Sequence, residues 1–587
     1  MINLREQTSS PNQPRRFRIA AALLVLLQIF SAACGELEQP KAEPYYAETI
    51  PPRKQEFRWS NGKAPKTFDP ALAAAPPETD LVRAVFEGLT ELNPETLEAI
   101  PAVAEKWSST EDHKTWTFHL RSNARWSNGR PVTAEDFVRS WKRLGELREK
   151  APHAALLTNI VGFPLERPKT ETPAVELFPS PTEQLPPPMR TSPTPLPSNT
   201  NSNVSRSGPA PAAFGVWAID DRTLQVSLIA GDKDFPKLVA HTMFRPVYFE
   251  TKEAVTSADA SSVVTNGSFK IATVENDGIS LDRSENYWNA AAVRLERVRF
   301  VSTENAEQAL AAYRSGDLDA VTNASFEPLV LKLLEPFDDF RRRTHAGINF
   351  YEINHGKAPF TDRRVREALA IAIERERLTE GEMEGQTQPA LSFLPFSRTT
   401  DAALVQDKER ARDLLDEAGF PGGKNFPVVR LVINRNDTQQ RVARAVARMW
   451  KQNLNIETDV VVKDNAEVEE IRHSGEFDLV RRNTVFPTAD ELMSFLAILE
   501  PPKAVVPDTS IGAGAAGVEA DDSKPVDAEP SDVIMTEANA VYELWAIPLY
   551  FPTSYSLVKP YVSGFEVNSL DAPLLQYVAI DSDWQPK

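Results

Sequence analysis

Prolines decide first where this chain can fold. Residues 163–212 hold 13 of the 47 prolines in the 587-residue sequence, spaced by Ser, Thr and Asn. Proline fixes φ and offers no N–H, so neither a helix nor a strand register can run through this stretch. It is expected to be a solvated insertion, the alternative being a polyproline ligand for a partner. Residues 501–532 break the chain again. Here GAGAAG, Gly512–Gly517, has the G-x-G-x-x-G spacing. No β-rich run leads into it and no amphipathic helix follows, so the dinucleotide reading fails. The acid-rich VEADDSKPVDAEPSD that follows would repel a phosphate and reads as a flexible acidic linker.

The remaining segments alternate strand and helix patterns. TWTFHL (Thr115–Leu120) and TLQVSL (Thr223–Leu228) have period two. Asn305–Ala320 predicts an amphipathic helix stopped by Gly316. Asp362–Leu378 places Val365, Leu369, Ala372 and Ile373 on one face behind an aspartate. Asp407–Phe420 predicts a helix with Gly419 just past its end. PVVRLVI, the helix Thr438–Ile456 and ETDVVV then form a strand–helix–strand unit, which implies α/β lobes.

The N-terminus reads differently. Arg15, Arg16 and Arg18 precede the apolar run Ile19–Ala33. That run is shorter than the roughly 20 residues that cross a bilayer, and it has the layout of a secretory signal peptide over residues 1–33. Cys34 follows at once and is the only cysteine in the sequence. SAAC resembles a bacterial lipobox, with Ser31 where leucine is usual. The resemblance implies that Cys34 is lipidated and that residues 34–56 form a polar tether to a membrane. A plain signal peptide cut near Ala33 is the alternative.

The formal charge of −18 argues against a nucleic-acid partner. A single cysteine excludes an intrachain disulfide and a cysteine-rich metal site. His113, His119, His153, His241, His345, His355 and His473 are scattered, with no HExxH motif, and there is no G-x-S-x-G or Walker loop. No enzymatic activity, metal or cofactor is expected.

The order of several stretches carries the strongest signal. TFDPALAAAPPETDLVRAVFEGLTEL (Thr67–Leu92) comes first, then WSNGRPVTAEDFVRSW within Pro101–Leu144. VVTNGSFKI and ENYW come next, then NHGKAPFTDRRVREAL within Phe350–Leu378, and WAIPLYF and VSGF near the end. This order resembles the extracytoplasmic solute-binding proteins of peptide-type ABC importers, bacterial solute-binding protein family 5. The resemblance implies an α/β, two-lobed periplasmic-binding-protein-like fold with three subdomains (type II, cluster C-like). Lobe I would comprise about 57–87, 214–345 and 545–587. Subdomain II would be 88–213 and carry the Pro-rich insertion 163–212. Lobe III would be 346–544 and carry the acidic linker 501–532. The partners implied are a peptide or other small solute, an ABC permease and ATPase, and a membrane through the lipid anchor.

In such relatives an extended peptide bonds to backbone between the lobes. The matching stretches are Ala74, Ala75 and Pro76 on one side, and about Asn483–Thr488 (Asn483, Thr484, Val485 and Phe486 foremost) on the other. His153, Tyr351 and Glu352 lie where relatives line side-chain pockets. Relatives also carry an aspartate for the peptide's α-amine. Counting back from SFL puts Pro487 or Thr488 at that position, and Asp490 is the nearest acid, with Glu352 second. A sugar, modified peptide or metal chelate, or a surface role with no transported ligand, remain the alternatives.

Overall fold

The strand Glu56–Ser60 opens the fold and buries Phe57 and Trp59. The computed structural model describes residues 45–46, 50–147, 150–163, 214–248, 263–396, 403–498, 536–566 and 568–585. The apolar run, Cys34, nearly all of 163–212 and all of 501–532 lie outside the described residues. Tyr45 and Tyr46, in the expected tether, sit against the body. Tyr46 N–H donates to Asp339 Oδ1 (3.1 Å), and the Tyr45 ring meets Trp584 edge-on.

Glu56–Ser60 lies within a seven-stranded mixed sheet. Its order is Phe340–Thr344, Thr553–Val558, Ala320–Val321, Glu56–Ser60, Arg297–Val301, Gly278–Arg283, Phe269–Glu275. A four-stranded antiparallel sheet follows the order Ala104–Ser109, Thr115–Leu120, Thr223–Ser227, Val216–Asp220. Thr115–Leu120 turns Trp116, Phe118 and Leu120 inward, as its period of two predicts. One continuous core joins both sheets into the first lobe. The second lobe has a six-stranded sheet in the order Gln388–Pro389, Ala546–Phe551, Gly347–Ile353, Leu479–Val485, Val429–Asn434, Thr458–Lys463. The amphipathic helices Arg363–Ile371, Lys408–Glu417 and Asp437–Leu454 cover it.

These pairings shift two expected boundaries. Thr223–Ser227 pairs with Thr115–Leu120, Phe118 opposite Leu224, so the small sheet continues past residue 213. Ala546–Phe551 pairs with Gly347–Ile353 in the second lobe, so the chain returns to the first lobe at Pro552 and not at 545.

Local signals act as expected at most helix ends. Asp407 Oδ1 accepts the N–H groups of Glu409 and Arg410, and Gly419 takes φ 94° just beyond the helix. Asp136 Oδ2 accepts from the Thr133 N–H and Oγ1 at the start of Ala134–Leu147. The helix predicted over Asp362–Leu378 stops at Ile371. The buried Arg375 guanidinium donates to the Ala370 and Ile373 carbonyls, which a continuing helix would need, and to Pro548 C=O.

The chain crosses between the lobes at His345–Ala346 and at Pro552. The crossings lie side by side, His345 N–H donating to Pro552 C=O (2.8 Å). Gly347 is needed at this seam, because a Cβ there would stand 2.9 Å from the Thr484 carbonyl oxygen.

Candidate functional site

A cleft of about 700 Å³ opens between the lobes beside the two crossings. Its first-lobe wall starts from the turn at Asp69-Pro70. The Asp69 carbonyl accepts from the Leu72 and Ala73 N–H groups, and Arg143 pairs with its carboxylate. This turn presents Ala74 and Ala75, both exposed, ahead of the helix Glu78–Val85. His153 Nε2–H donates to the Ala74 carbonyl (2.8 Å), and its ring meets His241 edge-on at 4.7 Å. His241 accepts the Met243 N–H at Nδ1. Burial, with His153, Arg83 and Arg245 adding to it, holds His241 well below the usual histidine range, so it is neutral.

Two carboxylates line the cleft among the described residues. Glu91 is buried against Arg245 (2.5 Å); burial raises its pKa, and Arg245 and Arg83 oppose that. Asp571 differs: its side chain is 25% exposed and faces His345 Nδ1 at 2.8 Å. Its loop is held by Asn568, whose side-chain oxygen accepts from the Leu570 and Ala572 N–H groups, and Asp571 itself takes φ 50°. His345 and Asp571 thus meet at the seam between the lobes.

The second-lobe wall is the end of the strand Leu479–Val485 and the turn after it, through Val485, Phe486, Pro487 and Thr488. Phe486 N–H donates to Ala346 C=O, fastening this wall to the first crossing. On one side the strand pairs along its whole length with Gly347–Ile353. On the other, pairing with Val429–Asn434 covers only Leu479 and Val480. Among the described residues no strand pairs with Arg481–Val485 on that side, and Asn483 and Val485 are exposed.

Of the residues singled out from sequence, Ala74, Ala75, Pro76, His153, Val485 and Phe486 stand on the cleft walls. Asn483 and Thr484 lie on the strand that leads into it. Tyr351, Glu352 and Asp490 do not line it. Tyr351 faces the opposite side of its strand and is buried against Trp450. Glu352 is held by Arg472 (3.0 Å) and Arg482 (2.9 Å). Asp490 is fully buried at the start of the helix Glu491–Ile498, where its Oδ1 accepts the Met493 N–H (2.7 Å). Sequence reasoning missed Glu91, His241, His345 and Asp571 as cleft residues. Only the Asn568 turn left a local trace.

A cleft between two α/β lobes, with two adjacent crossings, has clear counterparts. The model for bacterial extracellular solute-binding proteins, family 5, matches residues 98–503. The chain is 30% identical over 539 residues to the periplasmic oligopeptide-binding protein OppA of Salmonella typhimurium, covering 87% of this chain and 90% of the relative. It is 28% identical over 569 residues to the periplasmic murein peptide-binding protein MppA of Escherichia coli, covering 91% and 96%. The solved unliganded open form of the murein tripeptide-binding protein MppA superposes with a TM-score of 0.67 at 25% identity, covering 91% of this chain and 98% of that one. Among the described residues no helix is long and apolar enough to cross a membrane. The chain belongs to the bacterial extracellular solute-binding proteins of family 5, which bind solutes and are not enzymes.

Proposed function

We propose that this protein captures peptides in the interlobe cleft and passes them to an ABC permease and its ATPase. The observation that carries this is the edge of Arg481–Val485, which no described strand pairs and which runs into the cleft opposite Ala74–Pro76. An extended peptide can add to such an edge by main-chain hydrogen bonds, with side chains alternating into the walls. The relatives, an oligopeptide-binding and a murein peptide-binding protein by name, support the same class. Hinge motion at His345–Ala346 and Pro552 would close the lobes around the ligand.

A free α-ammonium in a partly dry cleft needs a counter-charge. Asp571 is the candidate, since Asp490 is buried elsewhere and Glu91 is committed to Arg245. Lipidation of Cys34 would tether the receptor outside the cytoplasm, in the periplasm or at the cell surface. Calorimetric titration of residues 35–587 with peptides of graded length tests capture. Saturable one-to-one binding is expected, and no heat with any peptide would overturn it. For the tether, Cys34→Ala should release the protein from membranes or leave an uncut precursor. Unchanged size and partition would remove that element.

A further inference from the structure

We propose that Asp232 and Asp490, one from each lobe, are joined by a single shared proton, and that this bridge positions the Phe486–Asp490 wall of the cleft. Asp232 lies between the strand Thr223–Ser227 and the short helix Phe235–Leu238 of the first lobe. Asp490 begins the helix Glu491–Ile498 of the second. Asp232 is 4% exposed and Asp490 0%. Each has one oxygen satisfied within its own lobe: Asp232 Oδ1 accepts the Asp234 N–H (2.8 Å), and Asp490 Oδ1 accepts the Met493 N–H (2.7 Å). The second oxygen of each receives no N–H or O–H from another described residue. The two segments meet across the lobe boundary, where Lys233 Nζ, next to Asp232, reaches Glu491, next to Asp490, at 3.1 Å, and the two carboxyl groups act directly on one another.

Two ionised carboxylates have no donor to offer each other, and burying both would be costly. If one is protonated, its O–H donates to the other and both open oxygens are satisfied.

The surroundings favour keeping the proton. Lys233 is spent on Asp234 (2.8 Å) and Glu491 (3.1 Å), and Lys237 on Asp234 (3.2 Å) and Glu98 (3.3 Å). Asp234 adds further negative charge beside the pair. Burial is the largest cause raising both groups, with mutual repulsion adding to it at Asp490. The bridge reaches the wall through Thr488: Asp490 N–H donates to Thr488 Oγ1 (3.3 Å), whose hydroxyl is 3.5 Å from the Lys237 carbonyl. Phe486, Pro487 and Thr488 all line the cleft. Asp232 and Asp490 are therefore positioning residues.

The inference deepens the cleft reading, and its test uses unliganded protein, so it can fail without peptide capture failing. The sign follows from linkage. The folded pair holds a proton that the unfolded carboxylates release near pH 4. The stabilisation is therefore complete below that pH and is lost as pH rises through the pair's own titration. Infrared difference spectroscopy of the whole chain at pH 7 should show that Asp490→Asn and Asp232→Asn each remove the same protonated-carboxyl C=O component and leave that of Glu87, whose burial pushes its pKa up to about 8. Hydrogen exchange, corrected for intrinsic rate, should show protection of residues 486–490 falling by about tenfold between pH 6 and pH 9. Asp490→Asn should hold that protection flat, because its amide donates to Asp232 at any pH. No loss of band intensity in either variant, or a flat wild-type exchange profile, would overturn the proposal. So would stabilisation by calcium that Asp490→Asn abolishes, since a cation would then be the bridge.

Discussion

Asp571 and Asp490 both stand at a boundary between the lobes, yet one faces the cleft and the other is shut away from it. Asp571 sits on a left-handed turn beside the crossings, partly exposed, with a histidine as its neighbour. Asp490 is fully buried and faces a second carboxyl. A carboxylate with a water-exposed face can meet an ammonium ion arriving with a ligand. One enclosed against like charge keeps a proton and becomes part of the scaffold. The comparison teaches that burial and the sign of the nearest neighbour decide an acid's use, and distance along the sequence does not.

The largest expected effect would break the comparison if it failed. Asp571→Asn should weaken binding of a peptide with a free N-terminus by on the order of a hundredfold, leaving an N-acetylated peptide unaffected. Calorimetry with matched peptides reads this directly. An equal loss for both would mean that Asp571 shapes the loop and does not recognise the amine. Next in size, Asp490→Ala should destabilise the protein by about 1–3 kcal/mol, because it strands Asp232 and removes a helix cap. Asp490→Asn should cost much less. Urea unfolding of the two variants side by side separates these outcomes.

A smaller effect sharpens the contrast from the acid side. His241 is held neutral in the folded protein, so its contribution is lost as pH falls below the usual histidine range near 6.5. The acid pair acts oppositely, losing stability as pH rises. His241→Asn keeps an acceptor for the Met243 N–H and should flatten only the acid limb of the melting-temperature profile. A change on the alkaline limb would contradict the assignment. Smallest of all, Lys233→Met should cost about 0–1 kcal/mol, since Lys233 is 64% exposed and its ion pairs are screened. A larger loss in thermal unfolding would mean that Lys233, and not a proton, compensates the pair.

Much of the scaffold was legible because local physics and tertiary packing agree there. Thr115–Leu120 alternates as its sequence does, and Lys408–Glu417 begins and ends at its aspartate and glycine. The helix expected through Leu378 was not legible, because the guanidinium of Arg375 claims carbonyls by a tertiary arrangement that no periodicity encodes. In the site, Ala74–Pro76, His153, Val485 and Phe486, picked out by the family likeness, stand on the cleft walls. Tyr351 and Glu352, picked out in the same way, do not line the cleft: Tyr351 is buried against Trp450, and Glu352 is held by two arginines. His345 and Asp571 come from distant parts of the chain and meet only because the two crossings lie together. Asp232 and Asp490 are likewise joined only by the fold.

The central claim is that the edge of Arg481–Val485, which no described strand pairs, receives an extended peptide, and amide hydrogen exchange on that strand tests it most directly. The amides bonded to Gly347–Ile353 are protected already. Saturating peptide should newly protect the remaining amides of Arg481–Val485, together with those around Ala74–Ala75. Peptide that binds and leaves the exchange of Arg481–Val485 unchanged would contradict the account.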